Sequence, residues 1–297
     1  MFDNWTKDAK LKAFDKLAED LIGEETKEDE EYFTISPIKN YLNEAIDRIA
    51  HPEKLYGLDT GYKYLNWITR GLAPQELIII GGPTAEGKTQ IIQSILLNIA
   101  LNNIASLFIT LEMPPAEITA RLLEQYKSLG NDSEDIVPQL PIYFYSGDKT
   151  TLGTLEKAIE QAIKEHNVKI VAIDHLHFFL RSIENEASEI GVVTRQIKLM
   201  ARKYNIPILL VSHIRKIYNS EIMPSLDDLR GSSFIAQDAD TVIMIRRNLE
   251  SANENERNII KVAVRKNRRN GIIANFKLYN DPHHYLREMT NDQNPEI

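Results

Sequence analysis

From residue 55 onward, short apolar runs alternate along the chain with stretches of helical period. The runs predict strands at Leu77–Gly81, Ser106–Leu111, Ile142–Tyr145, Lys169–Ile173, Pro207–Ser212, Thr241–Ile245, Ile259–Val264 and Ala274–Leu278. Helical periodicity is readable over 88–101, 115–129, 151–166 and 188–204. Several early strands are near-continuous hydrophobics, as in a parallel sheet whose two faces are both covered by helices. Strand–helix alternation implies βαβ units and an α/β fold. The last strands have no long helix between them, which predicts an antiparallel extension at the C-terminal end.

Ahead of residue 55 the texture differs. Residues 5–22 read as an amphipathic helix, with Trp5, Phe14, Leu17, Leu21 and Ile22 as candidates for one face. Gly23 to Glu31 is dominated by acidic residues around a single Lys27, the pattern of a solvated linker. Ser36 is the expected cap of a second helix with Pro37 at its first position, running to about Ala50 and ended by His51-Pro52. The expected organisation is a helical and acidic segment at 1–35, a linker helix at 36–54 and an α/β domain at 55–297.

Composition narrows the chemistry. Hydrophobic residues make up 43% of the 297, enough for a sizeable core. There are no cysteines, so disulfides, thiolate metal sites and thiol catalysis are excluded, which fits a cytoplasmic setting. No signal peptide is visible after Met1, and no apolar run approaches the roughly 20 residues of a membrane helix, so no membrane partner is expected. The net charge of −8 argues against a nucleic-acid partner. The charge is uneven, however: acidic residues are in excess over 1–55 and basic ones over 202–272, so a local basic surface is available.

The strongest chemical signal is Gly82-Pro83-Thr84-Ala85-Glu86-Gly87-Lys88-Thr89, followed by Gln90. It matches the phosphate-binding pattern G-x-x-x-x-G-K-[ST] and lies between an apolar strand and an apolar helix, the context that motif needs. Glycine lets successive amides aim at phosphates, and the helix N-terminus adds its dipole. Lys88 is expected on the β- and γ-phosphates and Thr89 on magnesium, so the cofactors expected are ATP and Mg2+. A hydrolytic site needs a second magnesium ligand, and Asp174 ends a buried strand where ligands gather in open α/β sheets. Glu112 follows another strand and is a candidate to activate water, although a strand-end glutamate is often only solvated. His213 ends a further strand within reach of a γ-phosphate, although a lone histidine is usually structural. The basic turn Arg265–Gly271 reads either as a solvated face or as an arginine finger.

Taken in order over roughly residues 57–285, these motifs resemble the RecA-like motor domain of DnaB-type replicative helicases of superfamily 4. Gly57-Leu58-Asp59-Thr60-Gly61-Tyr62 and Arg70-Gly71-Leu72 look like the family's segment before the first strand, and Ile80–Thr89 like its Walker A motif. Leu111-Glu112-Met113 is similar to the next motif, which implies Glu112 as catalytic base. Ile173-Asp174-His175-Leu176 resembles Walker B, and Val211-Ser212-His213 the following motif. His213 in place of glutamine tilts the resemblance toward phage primase-helicases and Twinkle. Asp228–Thr241 looks like the family's fourth motif, which implies DNA-backbone contacts at Arg230, Gly231, Ser232 and Ser233. Lys266-Asn267-Arg268 resembles the family's Lys-x-Arg, implying that Lys266 and Arg268 reach a neighbouring subunit's ATP site. Arg247 and Tyr279 match positions that flank the nucleotide base.

The resemblance implies an ATP-hydrolysing homohexameric helicase on single-stranded DNA, with a primase or helicase loader as a further candidate partner and a virus or mobile element as candidate source. It also implies that the linker helix, through Ile38, Leu42, Ala45, Ile46 and Ile49, packs on the next subunit; packing on its own domain is the alternative. A RecA-like recombinase or annealing ATPase, and a nucleotide-dependent switch or loader without unwinding, are the competing readings.

Overall fold

The computed structural model describes residues 36–130, 139–145, 147, 151–180, 186–215, 221–229 and 231–289, the side chains of Ser232, Ser233 and Ala236 excepted. The helix expected at 5–22, the acidic linker and Arg230 lie outside the described residues.

A nine-stranded sheet organises the domain. Its strands are β1 (Leu77–Gly82), β2 (Ser106–Thr110), β3 (Ile142–Phe144), β4 (Ile170–Asp174), β5 (Ile208–His213), β6 (Thr241–Arg247), β7 (Ile259–Asn267), β8 (Asn275–Asn280) and β9 (Leu286–Glu288). Their spatial order is β3-β2-β4-β5-β1-β6-β7-β8-β9. Strands β1 to β6 pair in parallel, and β6 to β9 pair antiparallel. The α/β fold with its antiparallel extension is therefore the fold read from the sequence.

The helices are α1 (Leu42–Ala50), α2 (Lys63–Thr69), α3 (Lys88–Leu101), α4 (Pro115–Ser128), α5 (Leu152–His166), α6 (Glu186–Lys203), α7 (Ser232–Asp238) and the short α8 (Glu254–Arg257). Both faces of the sheet are covered. Leu77 and Ile79 point into one apolar cluster with Leu155 and Ile159 of α5, Ile190 and Ile197 of α6 and Ile235 of α7. Ile78 and Ile80 point into the other, with Leu65 of α2, Ile91 and Ile95 of α3 and Ile118 and Leu122 of α4. Burial on both sides is why β1 reads as an unbroken apolar run instead of an alternating one. Each such buried Ile or Leu stabilises the fold by about 1.5–3 kcal/mol.

Two local expectations change. Ser36 does not cap a helix: Pro37 is the extended residue before a 3-10 turn at Ile38–Tyr41, no side chain caps that turn, and α1 follows at Leu42. Asp228–Thr241, for which no helix was expected, contains α7, which opens directly after Gly231 in a left-handed conformation (φ +67°). A Cβ at Gly231 would lie 2.7 Å from Ile190 of α6, so close packing of α6 also demands glycine there. No residue of α1 is buried, and Ile38, Ile46 and Ile49 are exposed, so the described domain does not cover this apolar face. No helix among the described residues is long and apolar enough to cross a membrane.

Candidate nucleotide site

Strand order assembles the site. The chain runs from β1 outward to β2 and β3 through α3 and α4 on one face. It returns through β4, β5 and β6 with α5, α6 and α7 on the other. The reversal leaves β2, β4, β5 and β1 side by side, with their C-terminal ends at one edge, where open α/β sheets bind ligands. Neighbouring strands lie about 4.8 Å apart, so four motifs far apart in sequence become neighbours. Gly82 pairs with His213, and Thr110, two residues before Glu112, pairs with Asp174.

The phosphate loop turns sharply between β1 and α3. Ala85 and Gly87 both have positive φ, +65° and +107°. At Gly87 a Cβ would also meet the Ile260 side chain at 2.9 Å, so this glycine is required twice over. Thr84 and Ala85 are exposed at the loop tip, while Lys88 is buried. Lys88 Nζ donates to the Pro83 carbonyl at 2.7 Å, and burial lowers its pKa. An ammonium aimed across the mouth of the loop, with its charge poorly solvated, is suited to a polyphosphate.

Asp174 and Thr89 meet directly. Thr89 Oγ1 donates to Asp174 Oδ2 at 2.5 Å. The other carboxylate oxygen, Oδ1, is buried with no hydrogen-bond partner. Burial pushes the Asp174 carboxyl up to about 6, against the lowering effect of the Thr89 hydrogen bond. An orphaned buried carboxylate oxygen beside a hydroxyl is a hard-oxygen donor set, and it fits a magnesium ion that keeps most of its waters. Glu112 is half exposed, and its charge acts on both Lys88 and Asp174. Its Oε2 stands 3.8 Å from His175 Nε2. His213 packs edge-on against the His175 ring, with centroids 4.4 Å apart.

Glu86, expected among the nucleotide-binding residues of the loop, is locked in place by its own domain. Its Oε1 accepts from Arg246 Nη1 at 3.1 Å and its Oε2 from the Arg247 backbone N–H at 2.8 Å. Glu86 and Arg246 are both buried, and burial raises the Glu86 pKa. The phosphate loop is thus bolted to β6. Gln90 forms a second tie, with Nε2 donating to Asn280 Oδ1 at 2.5 Å and to the His284 carbonyl at 2.6 Å. Arg247 and Tyr279 lie near this same sheet edge, joined through the pairings of Arg247 with Ile260 and Tyr279 with Ile259. The Arg247 guanidinium donates to the Arg257 carbonyl and to Asn258 Oδ1, so it is oriented within its own domain.

Lys266 and Arg268 are not brought to this site. Strand β7 runs antiparallel, so its end pairs with Thr241, at the edge where β1 begins. Arg268 N donates to the Asp240 carbonyl and Asp240 N to the Leu77 carbonyl, which fixes the turn at that opposite edge. Lys266 Nζ donates to the Ala239 carbonyl at 2.5 Å, and Arg268 is exposed. The length of β1, about 17 Å, separates these cations from the phosphate loop of their own chain. Gly231, Ser232 and Ser233 form the entry to α7, close to the Ile214–Leu229 bridge that follows β5.

Among solved structures, the chain resembles an ATPase domain at TM-score 0.74 with 20% identity, covering 86% of this chain and 100% of that one. A second, described as a DnaB-like replicative helicase and its interactions with primase, aligns at TM-score 0.71 with 19% identity, covering 87% and 68%. In sequence, the chain is 28% identical over 251 residues to a probable replicative DNA helicase of Trieres chinensis, covering 75% of this chain and 55% of that protein. It is 26% identical over 254 residues to the replicative DNA helicase DnaB of Leifsonia xyli subsp. xyli, covering 78% and 55%. The chain thus spans about half the length of the curated relatives it matches. Residues 57–287 match the model of the DnaB-like helicase C terminal domain, and the chain belongs to that family.

Proposed function

We propose that this chain is the motor of a replicative DNA helicase, which hydrolyses ATP in a homohexameric ring to move along single-stranded DNA and unwind duplex. The observation that carries the reading is the split of the charged groups between the two sheet edges. The phosphate loop, Glu112, Asp174 and His213 share one edge, and Lys266 and Arg268 occupy the other. Only a second copy, placed head to tail, brings the two sets together.

In this reading ATP lies on the 82–89 loop amides, with Lys88 on the β- and γ-phosphates. Thr89 and Asp174 hold the magnesium ion, which neutralises charge on the phosphates. Glu112 takes the proton of the attacking water, and His213 donates to the γ-phosphate. Arg268 and Lys266 of the neighbour stabilise the charge of the transition state. Arg247 and Tyr279 flank the base. The segment made of Arg230, Gly231, Ser232 and Ser233 holds the DNA backbone, contacts that position a strand without reading its sequence. It follows β5, which ends at His213, so a change at the γ-phosphate has a short path to the DNA. A partner such as a primase or loader would bind outside this core.

Strand displacement on forked DNA tests the proposal. The expected result is unwinding that needs ATP and magnesium and is lost in Glu112→Gln. Filaments on DNA without strand displacement would instead favour a recombinase or annealing ATPase, and nucleotide binding without DNA-stimulated turnover would favour a switch.

A further inference from the structure

Three histidines converge beside the nucleotide site. His175 and His177 flank the start of the 3-10 turn after β4, and His213 ends the adjacent β5. Their ring centroids are 5.3, 4.4 and 5.1 Å apart, and one nitrogen from each lies within 4.8 Å of the others. We propose that His175, His177 and His213 bind a divalent transition metal of the zinc class, at a position separate from the magnesium ligands Thr89 and Asp174.

Imidazole is a preferred ligand for zinc, copper, cobalt and nickel and a poor one for magnesium, so the donor set selects a different ion from the oxygen pair nearby. With metal–nitrogen bonds of about 2.1 Å, tetrahedral ligands stand about 3.4 Å apart, so the nitrogens need to close by only about 1.4 Å. His175 and His177 keep 13% and 15% side-chain exposure, but both ring nitrogens of His177 are buried, so a ring rotation accompanies metal entry. Carboxylates stand against two of the rings: Glu112 Oε2 is 3.8 Å from His175 Nε2, and Glu186 Oε1 is 3.5 Å from His177 Nε2. His175 Nδ1 accepts from the His177 backbone N–H at 3.3 Å, which orients that ring and leaves its Nε2 for the metal, and the two carboxylates add negative charge that favours a cation. The fourth position is left for water, as in an open three-histidine site.

Cobalt titration of the full chain, in buffer with excess magnesium, tests the site. The expected result is one Co2+ per chain with the strong visible absorption of four-coordinate, nitrogen-ligated cobalt, displaced by one equivalent of Zn2+. His177→Asn should weaken binding at least tenfold, and His177→Cys should restore it with an added thiolate-to-cobalt charge-transfer band, read against a background free of other cysteines. Asp174→Asn should leave the absorption in place. Only the faint absorption of six-coordinate, oxygen-ligated cobalt, or an unchanged titration in His177→Asn, overturns the assignment and leaves three rings in edge-on and tilted contact with a packing role.

Discussion

Thr89 Oγ1 hydrogen-bonds Asp174 Oδ2 at 2.5 Å, joining the first turn after the phosphate loop to the end of a strand two places away in the sheet. The bond does not offset the cost of burying the carboxylate, whose pKa stands near 6. An ordinary unfolded aspartate titrates near 3.9. The folded state therefore binds the proton more tightly, and the stability this confers is present at low pH and lost as pH rises through 6. Asp174→Asn should stabilise the metal-free protein by about 1–3 kcal/mol at pH 8, with the gain gone below pH 4. Denaturant unfolding at the two pH values measures it, and an equal effect at both would refute the account.

Arg246 and Glu86 make the converse case, a buried charge pair with both partners present. Removing one partner leaves the other charged and dry, so Arg246→Met should cost about 3–5 kcal/mol. The double variant with Glu86→Gln should recover part of that loss. Chemical denaturation of the single and double variants gives the coupling. Additive losses would show that the pair does not act as a unit.

Arg268→Ala should leave nucleotide affinity within about twofold and lower DNA-stimulated turnover by about 1000-fold, the scale of a trans arginine finger. Mixing Arg268→Ala with Glu112→Gln should restore some turnover, because the intact loop of one then faces the intact finger of the other. ATPase assays on the mixture check this, and unchanged turnover in Arg268→Ala alone removes the residue from the site.

The exposed face of α1 gives the fourth prediction. Ile46 and Ile49 are 54% and 81% exposed and touch no core. Ile46→Glu should change the unfolding free energy by less than about 0.5 kcal/mol, as at an ordinary surface position. If a second copy covers this face, the same substitution breaks assembly. Sedimentation separates the outcomes, and intact hexamers in the variant would show that α1 lies outside the contact.

Much of the domain was legible because its physics is local. A run such as Leu77–Gly81 is apolar on both faces and ends in glycine, which only a central strand before a tight turn requires. Helix α3 spans the residues its period predicts, 88–101. The misses share another cause. Strand β9 is three residues long with one buried position, and it is anchored by Glu288 accepting from the Lys63 and Tyr64 backbone N–H groups more than 220 residues away. No window of sequence contains that. Helices α2 and α7 are seven residues each, too short for a period to register. At the site, the loop motif points to Lys88 and Thr89, and the end of an apolar strand points to Asp174. The Glu86–Arg246 pair spans 160 residues, and the contact of His177 with His213 depends on β4 and β5 being neighbours, so tertiary structure alone supplies them.

On the proposed trans arrangement, the separation of Arg268 from its own phosphate loop by the full length of β1 also sets a counting rule. An assembly of such chains owns as many working sites as it has junctions, not as many as it has subunits. A lone chain has none, and an open row has one fewer than its members. Closing the row into a circle adds the last site without adding protein. Turnover per chain would therefore rise with the number of junctions and reach its maximum when the circle closes.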